Sequence, residues 1–260
     1  MKKIIVTFVL STFLLMGCSS TNEKSSANFS DEMKIPYTVN LHEYGSDSVE
    51  RTADHENSPY FVSNDYYNMV DSDSLSIISK FKTQQQTSEW SCGISAIMMT
   101  MEHYDMLGDN NEENLAMQRS NGMKEEATSL KDIVKILENN GFDTDSTYDY
   151  TPEQLAEYMT LEKIEETVKA DKPIIIAWND WGGHWQVIIG YDNMGTSQTQ
   201  ADDVVIVADS YDTTDHNQDG YGVYPAERFF YNWTMFDFFS ANYGIDEREK
   251  LFCIPTPKSN

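Results

Sequence analysis

A glutamine, a cysteine, a histidine and an aspartate carry the chemistry that this sequence offers. Cys92 stands in Gln86-Thr87-Ser88-Glu89-Trp90-Ser91-Cys92-Gly93, directly before the apolar run from Ile94 to Met101. Ile94, Ile97, Met98, Met101 and Tyr104 recur at threes and fours, which predicts a helix with one apolar stripe. A thiol at the start of such a helix meets unpaired backbone N–H groups and the positive end of the helix dipole, and both favour the thiolate. Gln86, six residues upstream, can offer a side-chain amide N–H to an oxyanion beside the sulfur. On residue type and position alone, a buried cysteine opening an ordinary core helix fits equally well.

A second pair of residues separates these readings. His184 enters the apolar stretch Trp185-Gln186-Val187-Ile188-Ile189-Gly190-Tyr191 behind Trp181-Gly182-Gly183, and Asp209 leaves the stretch Val204-Val205-Ile206-Val207-Ala208. A nucleophilic thiol needs a base and a group that orients the base, and these two positions supply both types.

The order Gln86, Cys92-Gly93, Gly183-His184-Trp185 and Asp209 resembles the papain-like cysteine peptidases, and within them the C39-like group. The resemblance covers roughly residues 80 to 255. It implies an α+β fold in which a helical lobe carrying Cys92 faces an antiparallel sheet lobe carrying His184 and Asp209. Cys92 would then be the nucleophile and His184 its proton carrier, with Asp209 orienting the ring and Gln86 completing the oxyanion hole. The best-known members are fused to export transporters and cut leader peptides after a Gly-Gly pair. This sequence has neither transporter spans nor a nucleotide-binding motif, so the resemblance does not carry a substrate with it.

The elements that must position these groups are legible in outline. Ser129 opens a helix with Leu130, Ile133, Val134 and Leu137 on one face, ended by Asn140-Gly141. Thr151-Pro152-Glu153-Gln154 starts a short helix, and Leu161, Ile164 and Val168 make a further amphipathic turn. Residues 174–178 form a continuous β-branched run, the pattern of a buried strand, and 185–191, 203–208 and 250–254 follow as strands. The polar excursion from Asn193 to Asp203 reads as the loop between two of them. Trp90, Trp181 and Gly183 are placed beside the cleft as substrate-binding residues, whereas Trp185 reads as core.

The chain begins with Lys2 and Lys3 before an apolar stretch from Ile4 to Met16, then Gly17-Cys18. The stretch is shorter than the ~20 residues of a membrane span and has the form of a secretory signal. Leu15-Met16-Gly17-Cys18 resembles a bacterial lipobox, which implies lipidation of Cys18 and anchoring on the outer face of the cell membrane. The expected organisation is a signal peptide over 1–17, a tether over 18–35, an N-terminal extension over 36–80 and a peptidase domain over 81–260. Within the extension, 37–39 and 60–62 read as short strands, and Tyr66, Tyr67 and Met69 as residues packing on the domain. This region reads equally as a cover for the cleft or as part of the substrate groove.

With Cys18 assigned to lipid, only Cys92 and Cys253 remain of three cysteines, so no disulfide framework is expected. Cys253 lies in an apolar run and reads as an inert core thiol. The formal charge of −25 argues against nucleic acid and anionic lipid surfaces as partners. His103 is about three helical turns from Cys92, too far to serve it, and His216 lies in a polar loop. In that loop Asp215, Asn217 and Asp219 alternate before Gly220, matching the first half of a calcium loop, although Ala226 stands where its bidentate glutamate belongs. The same residues also suit a plain turn.

The sequence therefore predicts an exported, lipid-anchored cysteine peptidase acting on a peptide or protein, with calcium as its one candidate cofactor. Two alternatives stay open: a cell-wall amidase or transpeptidase using the same groups, and a catalytically silent peptide-binding lipoprotein on the same scaffold.

Overall fold

The computed structural model describes residues 31–41, 45–48, 64–180, 182–213, 218–234 and 249–259. The proposed signal peptide, Cys18, most of the tether and the expected strand at 60–62 lie outside them. Among the described residues no helix is long and apolar enough to cross a membrane.

After β1 (Leu75–Ile77) the chain forms α1 (Cys92–His103), α2 (Glu112–Ala116) and α3 (Leu130–Asn139). Every residue of α1 from Cys92 to Met101 is buried. A helix enclosed on all sides must be central, and Ile94, Ile97, Met99 and Met101, each 0% exposed, contribute roughly 1.5–3 kcal/mol apiece. Helix α3 is amphipathic and starts as its sequence requires, with the Ser129 hydroxyl accepting from Asp132 N–H.

The next elements are β2 (Phe142–Ser146), α4 (Pro152–Tyr158), α5 (Leu161–Lys169), β3 (Ile174–Trp178), β4 (His184–Asp192) and β5 (Val204–Ala208). Helix α4 has the expected capping box between Thr151 and Gln154, with proline in its first turn. The chain ends in β6 (Tyr221–Pro225), α6 (Ala226–Thr234) and β7 (Leu251–Pro257). Six strands run in the order β2-β7-β3-β4-β5-β6, all pairings antiparallel, and β1 joins the far end of β4. Both β3 and β4 are buried on both faces, which explains why their sequences are continuously apolar rather than alternating. Helices α1 and α5 both pack on β4.

The fold is thus α+β, a helical lobe against an antiparallel sheet. Tyr67 is buried, and Tyr66 lies 5.7 Å from the Tyr221 ring, so this part of the extension does pack on the domain. The expected strand at 37–39 is corrected. Pairing occurs earlier, in an isolated parallel bridge between Lys34 and Thr83, with Ile35 N–H donating to Thr83 O at 2.9 Å. Met33 and Ile35 are the apolar residues that bury here, and Pro36, lacking an N–H, does not extend the ladder.

Candidate active site

The β4–β5 register sets the first half of the site. Val187 pairs with Ala208, so Gln186 and Asp209 come opposite each other just beyond the ladder. Side chains alternate along a strand, which puts His184 and Gln186 on the same face, both directed at Asp209. His184 Nε2 lies 2.6 Å from Asp209 Oδ1, and Gln186 Nε2 donates to Asp209 Oδ2 at 2.8 Å. An ionised carboxylate only accepts, so Nε2 of His184 carries the proton and Nδ1 is left for the thiol. The register shifts between Ile188 and Gly190, a bulge one turn of the pleat from the site.

Helix α1 supplies the other half. Cys92 is its first residue, and its thiol lies within electrostatic reach of His184. Gly93 is required by packing: a Cβ there would sit 2.9 Å from Thr128 Cβ and 3.1 Å from both Ile133 Cδ1 and Trp185 Cδ1. Trp185 is 0% exposed and donates from Nε1 to Thr128 O at 2.9 Å, so it is core, as its sequence suggests. The helix start therefore rests directly against the strand that carries the histidine.

The three groups are buried and their charges depend on one another. Burial by itself pushes the Cys92 thiol up, but the hydrogen bond and charge of His184, with backbone N–H groups of Trp185 and Gly93, bring it below its ordinary value. Burial by itself pushes His184 down, yet the charge and hydrogen bond of Asp209, then Cys92, hold it well above. Asp209, raised by burial, is lowered by His184, Tyr211 N–H and Gln186. All three shifts run toward the charged forms, thiolate, imidazolium and carboxylate.

Gln86 is buried behind this series. Its Oε1 accepts from Ser210 Oγ at 2.8 Å, and one amide N–H goes to Ser88 O at 2.7 Å. Its backbone N–H also donates to Ser210 O at 2.9 Å, which ties the loop before Cys92 to the residue after Asp209. An amide nitrogen carries two N–H groups, and the bond to Ser88 uses one of them.

Several residues that hold the site carry no sequence signature. Glu112, 1% exposed, accepts from Thr87 N–H, Thr87 Oγ1 and Ser91 Oγ, and so clamps the loop between Gln86 and Cys92 from the first position of α2. Burial, larger than these hydrogen bonds, raises its carboxyl above the ordinary range. Arg119 stacks its guanidinium 4.3 Å above the Trp90 ring and donates to the carbonyls of Gly122, Lys124 and Glu126. Trp90 is consequently buried under Arg119 and does not form an open rim. Gln186 accepts from Trp178 Nε1 at 2.7 Å, extending the series inward. A pattern of residues spaced by two on a strand that begins at a histidine is the one signal that singles out Gln186.

Glu89 and Tyr211 meet at the surface, with Tyr211 OH donating to Glu89 Oε1 at 2.8 Å and the tyrosine ring edge-on to His184. Trp181 lies outside the described residues. Gly182 and Gly183 have φ of 82° and 129°, a left-handed turn that only glycine adopts freely, and it delivers His184 into β4. His103 meets the Tyr104 ring edge-on and faces Asp171, away from this chemistry. Cys253 is 0% exposed and its thiol is pushed well up by burial, which makes it inert.

Of the candidate calcium ligands, Asp215 and Asn217 lie outside the described residues. Asp219 uses Oδ1 to accept from Tyr221 N–H, while Asp212 Oδ2 accepts from Gly220 N–H at 2.9 Å. Lys34 is within electrostatic reach of both carboxylates and supplies positive charge there. Among the described residues no three His, Cys, Asp or Glu side chains are grouped to hold a metal.

A family model described as "Peptidase_C39 like family" matches residues 78–240, and the chain belongs to that family. Two solved structures are similar to parts of it. One is a double glycine motif protease from an AMS/PCAT transporter in complex with the leader peptide, 17% identical, covering 68% of this chain and 91% of its own, with a TM-score of 0.41. The other is the peptidase domain of Streptococcus ComA, a bi-functional ABC transporter involved in a quorum-sensing pathway. It is 18% identical and covers 68% of this chain and 99% of its own, with a TM-score of 0.39. No curated protein matches the chain.

Proposed function

We propose that the protein is a cysteine peptidase that hydrolyses peptide bonds through Cys92, His184 and Asp209. The observation that carries the reading is His184, held at 2.6 Å by Asp209, with the Cys92 thiol at the start of α1 within its electrostatic reach.

In this mechanism the Cys92 thiolate attacks the amide carbonyl carbon. A sulfur–carbon bond forms, and the carbonyl π electrons move onto oxygen. The second amide N–H of Gln86 and the Cys92 backbone N–H bind that oxyanion. The imidazolium of His184 then protonates the leaving nitrogen as the carbon–nitrogen bond breaks, leaving a thioester. Neutral His184 takes a proton from water, which attacks the thioester and releases the acid and the thiolate. Asp209 orients the ring throughout and keeps the imidazolium favourable. An amine in place of that water would give acyl transfer.

The finer claims extend this reading. The N-terminal sequence supports export and lipidation at Cys18, which would place the enzyme on the outer face of the membrane. Its strongly acidic surface would favour basic peptides over anionic partners. Trp181 and Gly183 would border the bound chain beside His184.

The test is incubation of the full chain, solubilised in mild detergent, with a complex peptide library. New peptide termini, identified by mass spectrometry and lost in Cys92→Ala, are the expected result. Peptides retained uncut, equally by wild type and variant, would instead indicate a binding module.

A further inference from the structure

The segment preceding the family match is built into the site. Residues 33–35 bury Met33 and Ile35 and pair with Thr83, whose hydroxyl donates to Asp219 O at 2.6 Å. Lys34 Nζ donates to Gln218 O at 3.0 Å. Further along, Leu41 N–H donates to Thr87 Oγ1 at 2.9 Å. Gly45 lies so flat on the loop that a Cβ would stand 2.2 Å from Thr87 C and 2.4 Å from Ser88 N.

Ser46 is the focus of these contacts. It is 0% exposed, and its Oγ lies 3.0 Å from Gln86 O and 2.7 Å from Ser210 O. One hydroxyl proton is thus shared between two buried carbonyls, one on the loop before Cys92 and the other on the residue after Asp209. Asp47 N–H adds a bond to Gln86 O at 3.2 Å. Ser210 in turn fixes both the backbone and the side-chain amide of Gln86.

We propose that residues 33–41 and 45–48 form a permanent strap, in which Ser46 is a positioning residue that locks the loop carrying Gln86 onto the turn after Asp209. This rests on the catalytic reading above and assigns the segment a role inside it. Among the described residues, the strap hydrogen-bonds to residues 83, 86, 87, 210 and 218, on the scaffold behind the oxyanion position. A brace of this kind acts on acylation and leaves thiolate formation alone. Catalytic donors must be held to within about 0.5 Å, and a buried carbonyl that loses its donor lets the loop relax.

Two small reagents separate these effects in the full chain. Iodoacetamide alkylates sulfur by displacing iodide and builds no oxyanion, so its rate reports the thiolate. p-Nitrophenyl acetate acylates sulfur through a tetrahedral oxyanion: the thiolate attacks the carbonyl carbon, p-nitrophenolate departs, and Cys92 is left as a thioester. Each modification is read at Cys92 by mass spectrometry, with Cys253 as the internal control.

Ser46→Ala is expected to lower acetylation of Cys92 about tenfold, short of the ~10²–10³ lost when an oxyanion donor is removed outright, while alkylation stays within about twofold. Lys34→Met, which frees the strap at its other end, is expected to lower the same ratio less. An unchanged ratio in both variants overturns the strap. So does a parallel fall in both reactions, which marks a merely structural role; if Ser46→Ala does not fold, Lys34→Met decides. Wild-type Cys92 no faster than Cys253 with iodoacetamide removes the catalytic reading and the strap's role with it. A selective Cys92 with an unchanged ratio removes the strap alone.

Discussion

Gln186 lies opposite Asp209 across the β4–β5 pairing and donates to its Oδ2 at 2.8 Å, while His184 occupies Oδ1 at 2.6 Å. The carboxylate is thereby fixed on both oxygens. Its orientation comes from two residues of strand β4, a rigid support, with Tyr211 N–H in the following turn adding a bond to Oδ1 at 2.7 Å.

Replacing Gln186 by Leu leaves Asp209 Oδ2 and Trp178 Nε1 without these partners. The expected cost is about 1–3 kcal/mol in a denaturant titration. Because Gln186 helps keep Asp209 ionised, the variant should also shift the basic limb of the activity profile to lower pH, as His184 loses part of its support. An unchanged profile would mean that Gln186 is only packing.

Glu112→Gln puts an amide among groups that all donate: Thr87 N–H, Thr87 Oγ1 and Ser91 Oγ. At least one donor pair then faces another, and a loss of about 1–3 kcal/mol is expected at neutral pH. The carboxyl is raised in the fold, so between its unfolded and folded pKa values the native state holds more protons and wild-type stability falls as pH rises. Thermal melts across that window should have a flatter slope in the variant.

Gly93→Ala places a methyl carbon 2.9 Å from Thr128 Cβ and 3.1 Å from Trp185 Cδ1. Overpacking of this kind costs about 1–3 kcal/mol and would push α1 off β4. The expected readout is a lower denaturation midpoint together with a slower Cys92, because the displaced helix carries the thiol away from His184. Equal stability with normal reactivity would contradict the packing account.

The legible part of the site is local. Cys92 announces itself by the apolar helix behind it, and His184 and Asp209 by the strands they border. Family resemblance orders the three, and the fold follows as α+β. The supporting groups are illegible for a physical reason: Glu112 sits at the start of a five-residue helix and Ser210 in a turn, and each matters only through partners distant in sequence. Strand β2 is similarly hidden, since Phe142-Asp143-Thr144-Asp145-Ser146 buries only its two ends at the edge of the sheet. Strand β6 contains glycine and ends in proline, which argue against a strand until the neighbouring β5 fixes it. Among the described residues the misplaced strand, 37–39, reflects a pattern of aromatic and β-branched residues overruled by Pro36 and by burial of Met33 and Ile35.

The most direct test of the thiolate–imidazolium pair is the pH dependence of iodoacetamide alkylation at Cys92 in the full chain, in wild type and His184→Ala. The depressed thiol and the raised imidazole open a window in which both are charged, reaching below the free thiol's ~8.5 and above the free imidazole's ~6.5. Fast alkylation of Cys92 that persists well below pH ~8.5, exceeds that of Cys253 and is lost in His184→Ala is the predicted result. A Cys92 that reacts only as its free thiol titrates, with or without His184, would contradict the account.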